Sequence, residues 1–243
     1  MTGAVRVVAH RGASETEREN SPRAAAAAIA AGAWAVEMDA RFSADGVVHV
    51  AHDPDLARIA GLGAEVAAMT AAEIAGHRAP DGDPWVPTLR DLLAVVAGRV
   101  PAVIDIKIRG PEMLRAIADA APPGMEPDLV LGVRAIEDVA AARAILPRAR
   151  VLGLLPGTGD PAALATAGGF AIRFWEPDAT RERVAVAHAT GLEAWVTAGR
   201  SGGRGEEAVG ACTPDRLRRL AALGIDGILV NDPATAVAVL TAG

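Results

Sequence analysis

Two histidines close β-type runs early in the chain, in Ala9-His10-Arg11-Gly12 and in Ala51-His52-Asp53. Imidazole titrates near neutrality, so a facing pair can take a proton from an attacking hydroxyl and return one to a leaving alkoxide. His10 is followed by a cation and by a glycine that allows close backbone approach, a good arrangement for an anion. Glu37 and Asp39 flank Met38 in another run. Residues i and i+2 of a strand face the same way, so these two carboxylates share a side. Buried together they are costly without compensation. A divalent cation with oxygen ligands compensates them, and at a wet strand end solvent does so instead. Asp105-Ile106-Lys107 repeats the i, i+2 pairing. Asp105 would complete a three-carboxylate metal site with Glu37 and Asp39. Lys107 and Arg11 would neutralise a phosphate and the charge developing in its transition state. The alternative for Asp105 and Lys107 is a structural ion pair at a strand end. His49 stands three residues from His52, on the opposite face of the run, and is given no role. His77 and His188 fall in loop or helical context and are likewise read as structural.

The elements that must position these residues alternate along the whole chain. Strands are expected at 5–9, 34–39, 47–51, 100–107, 129–133, 150–155, 170–175, 193–197 and 227–230. Helices are expected at 22–31, 89–97, 112–120, 136–146, 161–167, 181–189, 214–223 and 234–240. Ser21-Pro22 and Thr213-Pro214 place a capping hydroxyl before a proline in the first turn. Gly32, Gly98, Gly191 and Gly224 stand where helices end. Strands alternating with helices of this length imply parallel pairing. About eight such units in 243 residues suit a closed (β/α)₈ TIM barrel, an α/β fold in a single domain; an open doubly wound sheet is the runner-up. Residues 53–86 are long for a βα connection, with a short helix expected near 71–76. The Gly-rich stretch 199–210 follows a strand and should lie on the C-terminal face of the barrel, as a mobile flap or a disordered insert.

A net charge of −6 and the lack of a basic tract argue against nucleic-acid binding. The single cysteine, Cys212, forms no internal disulfide and has no evident base partner. No leader pattern precedes residue 9, and the apolar run 24–36 is too short to span a bilayer, so a cytoplasmic protein without a stable membrane anchor is expected. Of 24 cationic residues 23 are Arg, and the one Lys is Lys107; Asn occurs only at Asn20 and Asn231, and Tyr and Gln are absent. A lysine surviving such depletion either marks a site where the planar Arg fork is a poor substitute or persists by chance.

His10-Arg11-Gly12, Glu19-Asn20-Ser21, Glu37-Met38-Asp39, Asp45-Gly46 and His52-Asp53-Pro54 occur in that order, followed by Val86-Pro87-Thr88-Leu89 and, near the end, Gly224-Ile225-Asp226-Gly227-Ile228 and Asp232-Pro233. Together these motifs resemble the glycerophosphodiester phosphodiesterase family, closely over the first ninety residues, weakly in the centre and well over the last thirty. The resemblance implies a TIM barrel with a divalent ion, Mg²⁺ or Ca²⁺. It implies acid–base duty for His10 and His52, metal ligation by Glu37 and Asp39, and phosphate contacts from Arg11 and Lys107. It further implies a small-molecule phosphodiester substrate that yields sn-glycerol 3-phosphate and an alcohol, with Trp195 matching a family aromatic that packs on it. Two positions depart from the pattern. Asp105 replaces a family Glu and is roughly 1.5 Å shorter, and Ala198 stands where the family commonly has Asn. A lysophospholipase D-like or cyclising phosphodiesterase, and a phosphate-ligand binding protein with impaired catalysis, are the alternative functions.

Overall fold

The computed structural model describes residues 4–157 and 159–242. Eight parallel strands close into a barrel. They are β1 (Arg6–Ala9), β2 (Ala35–Phe42), β3 (Ala102–Ile106), β4 (Leu129–Val133), β5 (Arg150–Gly153), β6 (Ala171–Trp175), β7 (Glu193–Thr197) and β8 (Gly227–Val230). Strand β1 closes the ring by pairing with β2 on one side and β8 on the other, in the register Val8↔Ala35 and Arg6↔Gly227. A helix follows each strand: α1 (Pro22–Ala30), α2 (Leu89–Val96), α3 (Pro111–Ala120), α4 (Glu137–Ile145), α5 (Pro161–Thr166), α6 (Arg181–Ala189), α7 (Pro214–Ala221) and α8 (Pro233–Thr241). The expected TIM barrel is therefore the observed fold.

The helices begin where capping chemistry directs. The Ser21 hydroxyl accepts from the Ala24 amide at 3.0 Å, and Thr88 and Asp91 form a reciprocal capping box before α2. One apolar layer fills the space between strands and helices, built from residues such as Met38, Leu93, Ile104, Ile117 and Leu131. The barrel interior is filled separately, by Val8, Ala35, Val103, Val130, Leu152, Trp195 and Leu229. Period-two alternation assigns the two layers. On β2, Met38 packs outward while Glu37 and Asp39 turn inward, and on β3 Ile104 and Asp105 divide in the same way.

The run expected at 47–51 is a strand, Val48–Val50, but it lies outside the barrel and pairs antiparallel with β2. It opens the excursion between β2 and α2, which also holds a two-stranded hairpin (Asp55–Leu56 with Leu62–Glu65) that sequence patterning missed and the short helix Ala71–Gly76 that it expected. Leu56, Val66, Ile74 and Val86 form a small core of their own there, which fixes the segment that carries His52. Among the described residues no helix is long and apolar enough to cross a membrane.

Candidate active site

The turn after β1 folds His10, Arg11 and Gly12 against the barrel mouth. Arg11 adopts left-handed backbone geometry (φ 58°), as does Asn20 (φ 54°), a conformation that non-glycine residues hold only under constraint. The constraints are visible. The Arg11 amide donates to Glu37 Oε2 at 2.8 Å, and the Asn20 amide donates to the Arg11 carbonyl at 2.9 Å. Gly12 has φ +82°, and a Cβ there would lie 2.6 Å from the Ala24 backbone. Gly12→Ala is therefore expected to lower Tm by about 5 °C or more, from about 2 kcal/mol of backbone strain and overlap. An unchanged thermal unfolding curve would show that the turn relaxes instead.

His10 is nearly buried, and its Nδ1 lies 2.8 Å from Asn231 Oδ1. The Asn231 amide nitrogen donates to the Val209 carbonyl at 2.9 Å, which orients the amide and turns its oxygen to the ring. His10 Nδ1 is thus the donor, and Nε2 keeps the lone pair. Burial, with the Arg11 charge adding to it, pushes the His10 imidazole down to about 4. Gly210 takes part in this hold, because a Cβ at its φ of +80° would meet Asn231 Oδ1.

Glu37, Asp39 and Asp105 converge inside the barrel, each offering an oxygen within 4.8 Å of the others. Lys107 Nζ lies 2.7 Å from Asp39 Oδ1 and also contacts Asp105. Arg11 Nε is 3.4 Å from Asp39, and the Asn20 side-chain amide donates to Asp39 at 2.8 Å. Burial alone would raise the Asp39 carboxyl, but the Lys107 and Arg11 charges hold it far below the usual carboxylate range. Burial would likewise lower Lys107, yet Asp39, Asp105 and Glu37 raise it. Glu37 is different. Burial, then the charges of Asp39 and Asp105, push it well above the ordinary range. Glu37 is thus poorly stabilised as an anion where it lies, and an all-oxygen donor set of this kind fits a hard divalent ion. Asp105 has competing partners, since Arg134 Nη2 is 2.7 Å from it.

His52 reaches the mouth from the end of the excursion. Its carbonyl accepts from the Arg41 guanidinium at 2.8 Å. Its Nδ1 is 2.8 Å from Asp53 Oδ1, which leaves Nε2 free. Arg58 ties this corner to the first turn, binding Asp53 at 2.5 Å and Glu19 at 2.6 and 2.9 Å, while Glu19 also reaches Arg11 at 3.2 Å. Burial opposes ionisation of Asp53, but hydrogen bonds from His52 and Arg58 lower it. The structure therefore brings His10, Arg11, Glu37, His52, Asp105 and Lys107 around one cavity of ≈ 290 Å³, with the buried Asp39 level with Asp105 and bonded to Lys107.

Trp195 is not among them, and the expectation of a substrate contact there is corrected. Its side chain is fully buried lower in the barrel, edge-on to Trp34 at 5.6 Å and to Phe170 at 6.1 Å, with Nε1 bonded to Glu193. Trp195 and Thr197 share the inward face of β7, but only Thr197, two residues nearer the C-terminal end, lines the cavity. The aromatic at the mouth is Trp175 on β6. Arg134, Arg173 and Asn231 were also missed. Asn231 and Asn20, the chain's only asparagines, bond His10 and Asp39, so the depletion that singled out Lys107 marked them too. The stretch 199–210 caps the cavity, which Ser201, Gly202 and Val209 line, and its base is held by Gly210 N to Ala198 O at 2.8 Å. His49 is buried against the Val86 carbonyl and His188 pairs with Asp226, both away from the site. Burial pushes the Cys212 thiol up to about 11, which fits an unreactive residue.

The sequence model of the Glycerophosphoryl diester phosphodiesterase family matches residues 10–150. The chain belongs to that family. Among curated relatives, lysophospholipase D GDPD3 of Mus musculus is 30% identical over 127 residues. That match covers 47% of this chain and spans only 38% of the length of the relative. Among solved structures, one assigned to the glycerophosphoryl diester phosphodiesterases of Silicibacter pomeroyi superposes with a TM-score of 0.82 at 28% identity, covering 100% of this chain and 95% of that one. An Oleispira antarctica phosphodiesterase shares the fold, with a TM-score of 0.81 at 17% identity over 98% of this chain and 97% of that one. The structural matches extend past residue 150, where the family-model match ends, through the strands that carry Arg173 and Asn231.

Proposed function

We propose that this chain hydrolyses glycerophosphodiesters to sn-glycerol 3-phosphate and an alcohol, assisted by a divalent ion, Mg²⁺ or Ca²⁺. One observation carries the reading: two imidazoles with assigned tautomers flank a cavity lined by Glu37, Asp105 and the cations Arg11 and Lys107, with Asp39 converging on the two acids. The Oleispira antarctica phosphodiesterase of the same fold is in complex with the product sn-glycerol-3-phosphate, which supports a substrate of this size and charge.

Glu37, Asp39 and Asp105 would hold the ion, which when bound polarises a phosphoryl oxygen. Arg11 and Lys107 hold the phosphate's charge. His10, neutral and with Nε2 open, takes a proton from the attacking water as the new P–O bond forms. His52 gives a proton from Nε2 to the alcohol oxygen as the old P–O bond breaks, and Asp53 stabilises the charged ring before transfer. Each His has its Nδ1 engaged, so only Nε2 is available to the substrate.

The test is release of sn-glycerol 3-phosphate from a panel of glycerophosphodiesters with Mg²⁺, Ca²⁺ or Mn²⁺, and no turnover with any pair refutes the reading. The panel also gives a pH profile. His10 works as a base only while neutral, so kcat/KM at saturating metal is expected to stay level down to about pH 5 and to fall as His10 protonates near 4. An acid limb at the ordinary imidazole value would assign the base to another group. The curated relatives named lysophospholipase D favour a second reading, in which the alcohol side is a lysophospholipid. Phosphorus NMR of the products, with lysophospholipid and glycerophosphodiester compared directly, separates the two and detects any cyclic phosphate.

A further inference from the structure

Strand β6 stands diametrically across the barrel from β2, four steps away in either direction around the ring. It carries Arg173 into the cavity, facing the wall that holds Glu37 and Asp39. Arg173 is only 9% exposed, and its Nε is buried without a hydrogen-bond partner. The charges acting on it are Asp105, Arg134 and Asp178, and among the described residues none of them forms an ion pair with it. Asp105 is already engaged by Lys107 and by Arg134, the latter at 2.7 Å. Burial lowers the Arg173 guanidinium to about 10, so it is still charged at neutral pH. The Trp175 ring lies 4.0 Å from its Cζ, which orients the guanidinium plane and offsets part of the desolvation. Stacking does not replace a counter-ion, and a buried cation without one is costly. A ligand that brings its own negative charge removes that cost.

We propose that Arg173, stacked on Trp175, is a second anion subsite that selects glycerophosphodiesters whose leaving alcohol carries a carboxylate or a phosphate. The inference rests on the diesterase reading above. On that reading the phosphorus sits at the opposite wall, among His10, His52, Arg11 and Lys107, and a diester whose leaving alcohol points across the cavity reaches β6. The cavity of ≈ 290 Å³ is at the small end for ligand sites and suits a compact, charged headgroup. The planar guanidinium can engage a carboxylate or a phosphate through two parallel hydrogen bonds.

Glycerophosphoserine and glycerophosphoethanolamine differ by one carboxylate, and glycerophosphoinositol 4-phosphate supplies the phosphate arm against glycerophosphoinositol. Wild-type kcat/KM is expected to favour the anionic member of at least one pair by roughly tenfold or more, the scale of a charge-assisted contact, and Arg173→Gln is expected to bring that ratio to about one. The pair that responds tells carboxylate from phosphate. A wild-type ratio near one in both pairs overturns the subsite without recourse to any variant. A ratio that survives R173Q overturns the assignment to Arg173, as when the guanidinium serves the diester's own phosphate and all substrates fall together. Should R173Q fail to fold, Arg173→Lys, which keeps charge but loses the fork and the stack, is expected to lower the ratio, and an unchanged ratio overturns the assignment equally. Absence of turnover with every diester is a different outcome and refutes the parent reading.

Discussion

Replacing His10 with alanine is expected to lower kcat for glycerophosphodiester hydrolysis by about 10²–10⁴-fold, the scale of losing a positioned acid or base. The size follows from how completely the ring is prepared. Asn231 fixes its tautomer, Val209 fixes Asn231, and burial keeps it neutral. His49 and His188 cannot take over, since both are tied down elsewhere. His52→Ala is expected to cost a similar factor, and the double variant much less than the product of the two, because the pair serves one displacement as a unit. Steady-state kinetics with circular dichroism as the folding control make the check. Full activity in His10→Ala would remove the imidazole from the mechanism. Asn231→Ala provides the companion measurement: its hydrogen bond raises the His10 imidazole against the lowering by burial and Arg11, so its loss should lower kcat by freeing the tautomer while the acid limb moves no closer to the ordinary imidazole value.

Glu37→Gln is expected to act in opposite directions on activity and on the stability of the metal-free protein. The variant is isosteric, and Gln can still accept the Arg11 amide. Loss of a carboxylate ligand should reduce kcat/KM by about 10³-fold or more, in line with the several kcal/mol a Lewis-acid cation contributes to such a transition state. The sign for stability comes from the raised Glu37 carboxyl. A carboxylic acid whose folded value lies above its unfolded value contributes stability that is complete below the unfolded value and is lost as pH rises through the folded one. Above the unfolded value the metal-free wild type therefore bears a stability cost at Glu37, as a buried charge or as a proton taken up on folding, which the amide lacks. Without metal, Tm of the variant should equal or exceed that of the wild type. Added Mg²⁺ or Ca²⁺ should raise wild-type Tm, through binding to the folded state only, and leave the variant nearly unmoved. Equal metal-induced shifts in the two proteins would show that the ion, if bound, does not use Glu37. Asp39→Asn is a poorer probe, because Asp39 also neutralises the buried Lys107 and Arg11, and its loss leaves them only Asp105 and Glu19 respectively.

Much of this protein was legible in the residues alone, and for a physical reason. A barrel strand repeats every two residues and a helix about every 3.6, so the alternation of short β-branched runs with alanine-rich segments carries the (β/α)₈ order directly, and capping residues such as Ser21 and Thr88 mark its boundaries. The same period of two put Glu37 and Asp39 on one face before any coordinates were known, and it paired Asp105 with Lys107. Strand ends in such a barrel meet at one mouth, so His10 and the acids had to be neighbours. Local chemistry could not say which strands belong to the ring. The run at 48–50 has the same composition as a barrel strand, yet it folds back on β2, because the choice depends on partners distant in sequence.

Depth along the barrel was equally hidden. Trp195 and Thr197 face inward with equal right, and only the stacking of one interior layer on the next decides that the indole packs beneath the site with Trp34 while Thr197 and Trp175 line the cavity. Partner choice is the third thing the chain keeps to its tertiary structure. Asn231 is 221 residues from the His10 it orients, Arg58 joins Glu19 to Asp53 across the excursion, and Arg173 is set apart by being buried at the cavity with no carboxylate paired to it among the described residues. The sequence alone settled which functional groups exist and which way each strand turns them; closure of the ring settled how deep each one lies, what holds it and which charge is left for a ligand, because these are properties of neighbours that only folding brings together.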